Sequence, residues 1–131
     1  MFLDTSGLMC LLDHRDHRHV KALEFYRPAR IRIISSYVLA EYVALAQVRG
    51  MPRRQTLEFS AEILEDKTVE IVWVTESLHL RALQLLRARQ DKTYSLCDAV
   101  SFVLMRDYGI HEALTTDRHF EQEGFTRLLE G

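Results

Sequence analysis

Met1-Phe2-Leu3-Asp4-Thr5-Ser6-Gly7 carries an apolar pair into a carboxylate, two hydroxyl residues and a glycine, and the run Leu8-Met9-Cys10-Leu11-Leu12 follows. This reads as a buried first strand that turns at once into a helix, with Asp4 at the strand's carboxyl end. In open α/β sheets the working site lies in the crevice beyond the carboxyl ends of the strands. An acid there adds little to core packing and is well placed to hold a cation.

Working outward, the chain alternates strands and helices. The short first helix runs to about Asp13, and His14-Arg15-Asp16-His17-Arg18-His19 then leads into a second helix bearing Val20, Leu23 and Tyr26, ended by Pro28. The three histidines lack a Cys or His pair at zinc-binding spacing and have arginines between them, so they read as a solvated helix entrance. Arg30-Ile31-Arg32-Ile33-Ile34 has the β-branched density of a strand. Ser35-Ser36 caps the helix that follows, which leaves at Gly50. Within that helix Glu41 has Tyr37, Val38, Ala44 and Leu45 as its neighbours three and four residues away, with Val48 continuing the stripe. The pattern predicts Glu41 among apolar side chains, where an unpaired carboxylate is costly.

Pro52 starts the next helix, whose apolar line is Leu57, Ala61 and Leu64 and whose acidic face is solvated. Val69-Glu70-Ile71-Val72-Trp73-Val74 is the third strand, and Thr75 caps a long helix with the stripe Leu78, Ala82, Leu85 and Leu86. The alternation predicts a parallel sheet covered on both faces. Ser95 and Asp98 stand at capping-box spacing before Ala99-Val100-Ser101-Phe102-Val103-Leu104-Met105, which gives Asp98 a purely structural reading as a first-turn acid. His111-Glu112-Ala113-Leu114-Thr115-Thr116-Asp117 repeats the opening logic: apolar strand, hydroxyls, then an acid. His119 reads as a support of the following loop, because nothing nearby builds a nucleophile–base pair. Thr126-Arg127-Leu128-Leu129 is an edge strand.

A chain of 131 residues, 47% hydrophobic and 27% charged, is expected to form one soluble domain over residues 1–131. No run reaches the ~20 apolar residues of a membrane span, and no basic leader precedes the first apolar stretch, so a cytoplasmic protein away from membranes is expected. Cys10 and Cys97 sit in apolar surroundings and are expected reduced. The net charge of −2, from 17 Lys and Arg against 19 Asp and Glu, does not advertise a nucleic-acid binder, so any such role must use a local basic patch.

The informative acids then fall into one set. Asp4 and Asp117 end strands, while Glu41 and Asp98 lie on helices among apolar neighbours. Carboxylates converging in one crevice repel and push at least one pKa up, a conflict that a divalent cation resolves. Oxygen ligation without Cys or a His pair selects Mg²⁺ or Mn²⁺ over Zn²⁺. Such ions activate water and stabilise charge on a phosphoryl group.

Phe2-Leu3-Asp4-Thr5-Ser6, Glu41, the stretch from Asp91-Lys92-Thr93-Tyr94 through Ser95-Leu96-Cys97-Asp98 to Phe102, and Leu114-Thr115-Thr116-Asp117-Arg118-His119-Phe120 together resemble a PIN-domain nuclease. The resemblance is to the VapC-type toxins of bacterial and archaeal toxin–antitoxin pairs, and it covers the whole chain. It implies a PIN-like three-layer α/β/α sandwich with a central, mostly parallel sheet of four to five strands. It also implies a Mg²⁺- or Mn²⁺-dependent endoribonuclease that leaves a 5′-phosphate and a 3′-hydroxyl. Asp4, Glu41, Asp98 and Asp117 would then be the metal-binding, catalytic acids, with Ser6 and Thr115 as polar groups near the ions and the phosphate. The expected partners are an RNA substrate, a small cognate antitoxin that blocks the site, and a second copy in a homodimer. Arg49, Arg53, Arg54, Arg87, Arg89 and Lys92 are the candidates for RNA contact, with solubilising charge as the competing reading. A haloacid-dehalogenase-like phosphotransferase also opens with a strand and an Asp, but wants a second Asp where Ser6 stands. The remaining alternative is a non-catalytic module of the same fold that binds RNA or a partner.

Overall fold

The computed structural model describes residues 1–130. Five strands form one sheet, β1 (Phe2–Leu3), β2 (Arg32–Ser35), β3 (Val69–Val72), β4 (Glu112–Leu114) and β5 (Thr126–Arg127), in the order β3-β2-β1-β4-β5. Every pairing is parallel, with Phe2 opposite both Ile33 and Ala113. Seven helices cover the sheet: α1 (Thr5–Leu12), α2 (His19–Tyr26), α3 (Ser36–Val48), α4 (Arg53–Glu65), α5 (Glu76–Ala88), α6 (Leu96–Tyr108) and α7 (His119–Gln122). From β1 the chain steps outward through β2 to β3, then crosses back to lay β4 on the other side of β1. Right-handed crossovers in opposite directions place helices on opposite faces, which gives three layers. Between β1 and β4 the direction of winding reverses, so a crevice opens there at the carboxyl edge.

The central strands are buried on both faces, as a covered parallel sheet requires. Phe2, Leu3, Ile34, Ala113 and Leu114 have no exposed surface, which is why their sequence reads as continuous apolar runs. Gly7 lets α1 lie hard against β4: a Cβ there would stand 2.0 Å from the Leu114 carbonyl oxygen. Ser35 and Thr75 cap α3 and α5 by accepting from the amides of Val38 and Leu78. Gly109, at φ 64, closes α6 in the left-handed conformation a side chain would resist. The second and third strands are shorter or shifted by a residue or two relative to their apolar runs, with Ile31 and Trp73 left 60% and 65% exposed.

Two helix faces differ from the sequence reading. On α4 the expected line of Leu57 and Leu64 is exposed, and the side turned inward carries Thr56, Phe59 and Ile63. Both rows have helical spacing. The Phe59 ring decides between them by packing edge-on against Tyr42 of α3, centroids 5.7 Å apart. On α3 the buried side is Val38, Leu39, Tyr42 and Ala46, while Val48 is 84% exposed. Glu41 is therefore exposed and does not lie buried among apolar residues. The histidine-rich entrance is polar surface, as read, with His14 and His17 exposed and His19 Nδ1 against the Cys10 carbonyl. Cys10 and Cys97 are both free thiols. Among the described residues no helix is long and apolar enough to cross a membrane.

Candidate active site

The crevice between β1 and β4 is where the sequence puts its carboxylates. Asp4 directly follows β1 and is 4% exposed. Thr115, the residue after β4, donates its hydroxyl to Asp4 Oδ2 at 2.7 Å, and Ser6 Oγ lies 3.2 Å from the same oxygen. The Ser6 hydroxyl also accepts the Thr116 amide at 2.9 Å, and Thr115 Oγ1 accepts the Asp117 amide at 3.0 Å. Ser6 and Thr115 thus pin two loops together across the sheet edge and aim their hydroxyl hydrogens at Asp4.

The second half of the site comes from α6 and the turn into α7. Ser95 and Asp98 form a full capping box, each side chain accepting the other's amide at 3.0 Å. The same Asp98 Oδ2 lies 2.9 Å from His119 Nδ1, which is also 3.4 Å from Asp117 Oδ1. Asp117 Oδ1 accepts the His119 amide at 2.9 Å, so the turn fixes carboxylate and ring together. The ligand atoms of Asp98, Asp117 and His119 all lie within 4.8 Å of one another. His119 is thus placed among the acids, beyond the loop-supporting role read from sequence. The signal for it was its spacing two residues after Asp117, in the turn that repeats the opening motif.

Glu41 approaches from α3. Although exposed, it is near enough to add negative potential at Asp4 and at the Cys97 thiol. Burial is the first cause that pushes the Cys97 thiol up, and the charges of Glu41, Asp4 and Asp98 follow. Asp4 is held up at about 7, above all by burial and then by the charges of Asp98 and Glu41, against the stabilising bond from Thr115. No lysine or arginine pairs with Asp4, Asp98 or Asp117 among the described residues. Beside Asp4 the buried Thr5 hydroxyl has no partner. A donor set of carboxylates with one imidazole, short of positive charge, fits a divalent cation.

The basic candidates divide. Arg54 pairs with Glu58, Lys92 with Asp91, and Arg53 bonds Gln47, all at the surface. Arg49 and Arg87 are exposed at helix ends. Arg89 is tied to Glu123, an acid the sequence did not single out. Glu123 is buried and takes Arg89 at 3.0 Å, Arg106 at 2.5 Å and the Tyr94 hydroxyl at 3.2 Å. Burial pushes its carboxyl up, but the two guanidiniums outweigh that and hold it below the usual range. Nothing local in Glu121-Gln122-Glu123-Gly124 distinguishes this residue, since its partners lie 17 and 34 positions away.

Comparison with known proteins agrees with this geometry. The family model of the PIN domain matches residues 1–125. The chain is 32% identical over 130 residues to the 23S rRNA-specific endonuclease VapC20 of Mycobacterium tuberculosis, covering 98% of this chain and 97% of that one. The crystal structure of M. tuberculosis VapC20, described as a Sarcin-Ricin loop cleaving toxin, superposes with a TM-score of 0.87 at 30% identity, covering 95% of both chains. With its all-parallel five-stranded sheet and its acids at the carboxyl edge, the chain belongs to the PIN domain family.

Proposed function

We propose that the protein is a metal-dependent endoribonuclease acting as the toxin of a toxin–antitoxin pair. What supports this reading is the cluster of Asp98, Asp117 and His119, with the buried Asp4 tied to the Asp117 turn through Thr115, and with no lysine or arginine paired to these acids among the described residues. Its full-length likeness to a ribosomal RNA endonuclease makes structured large-subunit rRNA the first substrate class to test.

In this reading Asp4, Glu41, Asp98 and Asp117 hold Mg²⁺ or Mn²⁺. When bound, such an ion activates water and stabilises the charge that develops on a phosphoryl group during in-line displacement. The chain's own contribution is positional. Thr115 and Ser6 fix the Asp4 carboxylate by two hydroxyl bonds, and the capping box fixes Asp98 on the first turn of α6. The α6 amino terminus adds partial positive charge where a phosphate would lie. Arg49 and Arg87, both exposed, are the freest of the basic candidates to meet the RNA backbone.

A small antitoxin and a homodimer belong to the same proposal. Val48, Leu57 and Leu64 leave apolar surface on α3 and α4 that a protein partner would cover. The test is cleavage of rRNA by the purified protein in Mg²⁺, in Mn²⁺ and in excess EDTA. Cleavage only with the ion is the expected result, and cleavage that persists in EDTA would overturn it. Light scattering of the purified chain tests the dimer, with a monomer as the contrary outcome.

A further inference from the structure

We propose that His119 Nδ1 is a third donor beside the Asp98 and Asp117 carboxylates, so that the ion site carries one nitrogen among its oxygens and favours Mn²⁺ over Mg²⁺. This rests on the metal-dependent reading above. The acids by themselves select only a hard cation; the imidazole is what narrows the choice.

The spacing is the first ground. His119 Nδ1 stands 2.9 Å from Asp98 Oδ2 and 3.4 Å from Asp117 Oδ1. Adjacent ligands of an octahedral ion with bonds of about 2.1 Å lie roughly 3 Å apart. The ring nitrogen is therefore already near the separation of a neighbouring ligand from each carboxylate, and all three ligand atoms lie within 4.8 Å of one another.

The second ground is how the ring is held. Its far nitrogen, Nε2, lies 3.0 Å from Thr93 Oγ1, outside the acid cluster. The Tyr94 ring packs on it at 64°, centroids 5.2 Å apart, and its backbone amide is bound to Asp117. A metal-binding imidazole is typically anchored through its other nitrogen in this way. A threonine hydroxyl both donates and accepts. Without an ion, Nδ1–H donates to Asp98 and Nε2 accepts from Thr93. With the tautomer reversed, Nε2–H donates to Thr93 and the Nδ1 lone pair faces the space between the two carboxylates. The rotating hydroxyl accommodates either state without displacing the ring.

The third ground is ligand chemistry. Mg²⁺ takes oxygen ligands and gives up its water reluctantly, whereas imidazole nitrogen suits first-row transition ions. A single nitrogen in place of an oxygen therefore costs Mg²⁺ more than Mn²⁺.

The experiment uses the full chain loaded with MnCl₂ and reads electron spin-echo modulation from ¹⁴N on the bound ion. Calorimetric titration with MnCl₂ and with MgCl₂ follows on wild type, His119→Ala, His119→Gln and Asp98→Asn, with thermal melting in EDTA as a check on folding. The expected result is ¹⁴N modulation in wild type that disappears in both His119 variants. Their Mn²⁺ affinity should fall by at least about tenfold, and their Mg²⁺ affinity by clearly less. Wild-type Mn²⁺ without ¹⁴N modulation, modulation that persists in His119→Ala, or equal loss of both ions in the variants overturns the proposal while leaving the acid site intact. Mn²⁺ bound as tightly by Asp98→Asn as by wild type overturns the reading of the acid site itself. The spectroscopic arm is read on the native protein, so a variant that fails to fold leaves the test decisive.

Discussion

At Asp98 one oxygen, Oδ2, accepts both the Ser95 amide and the His119 ring, so a helix cap and a site carboxylate are the same atom. The capping-box spacing was legible in sequence, and it concealed the second role because both need an acid at the same place. Asp98→Asn separates them, since the amide oxygen can still accept while the charge is gone. In EDTA the variant should melt within about 1 kcal/mol of wild type, the range of a first-turn charge. Its RNA cleavage should be lost. A normal cleavage rate would return Asp98 to capping alone. Asp4 offers a sharper test in the metal-free protein. Its carboxyl rises from an ordinary value of 3.8 to about 7 on folding, through burial first and then through Asp98 and Glu41. The folded state therefore binds the proton more tightly than the unfolded chain. The resulting stability is fully present below the unfolded value and is lost as pH rises through about 7. In EDTA the unfolding free energy should fall by on the order of a few kcal/mol between pH 5 and pH 8, and the melting temperature should fall with it. Asp4→Asn should flatten that dependence and melt above wild type at pH 8. Equal slopes for the two proteins would locate the titration elsewhere.

Among the elements, the strands were readable because a sheet covered on both faces buries alternate and intervening residues alike, leaving apolar runs such as Ile33-Ile34 and Ala113-Leu114. The faces of α3 and α4 were less so. Periodicity shows that a helix has an apolar side, but α4 offers two adjacent rows, and only the contact of Phe59 with Tyr42 chooses between them. Glu41 was misjudged for the same reason: its apolar neighbours Ala44 and Val48 are themselves exposed. Two substitutions probe what holds elements together. Gly7→Ala pushes a methyl into the Leu114 carbonyl and should cost more than about 2 kcal/mol by prising α1 from β4. Glu123→Gln leaves Arg89 and Arg106 facing each other with no charge between them. Because both arginines are partly exposed, the loss should be about 2–4 kcal/mol, below that of a fully buried pair. Urea melts of the two variants check both values, and an unchanged midpoint for Glu123→Gln would show the network to be ornamental.

At the scale of the molecule, an ion that binds only the folded state must also stabilise it. Mn²⁺ at a hundred times its dissociation constant should add about 2.7 kcal/mol, raising the melting temperature of wild type and leaving Asp98→Asn unmoved. That shift is independent of any RNA and so separates binding from catalysis. The parallel architecture, the acids after β1 and β4 and the family were open to sequence reasoning because each is written in a local motif. The pairing of Glu123 and the contact of His119 with Asp98 were not, since both depend on residues 17 to 34 positions apart; only the proximity of His119 to Asp117 was written locally. The pairing of β1 with β4 has a consequence for how the protein is made. Asp4 meets Thr115 across 111 residues, and Phe2 and Leu3 lie against Ala113 and Leu114. During synthesis at about 5–20 residues per second, the first acid therefore waits on the order of ten seconds for its partners to be translated. For all of that time the growing chain has a first strand without its second neighbour and an Asp4 without its Thr115 contact. On the function proposed above, chains ending at Gly109, which lack β4, Asp117 and His119, should neither cleave RNA nor bind Mn²⁺.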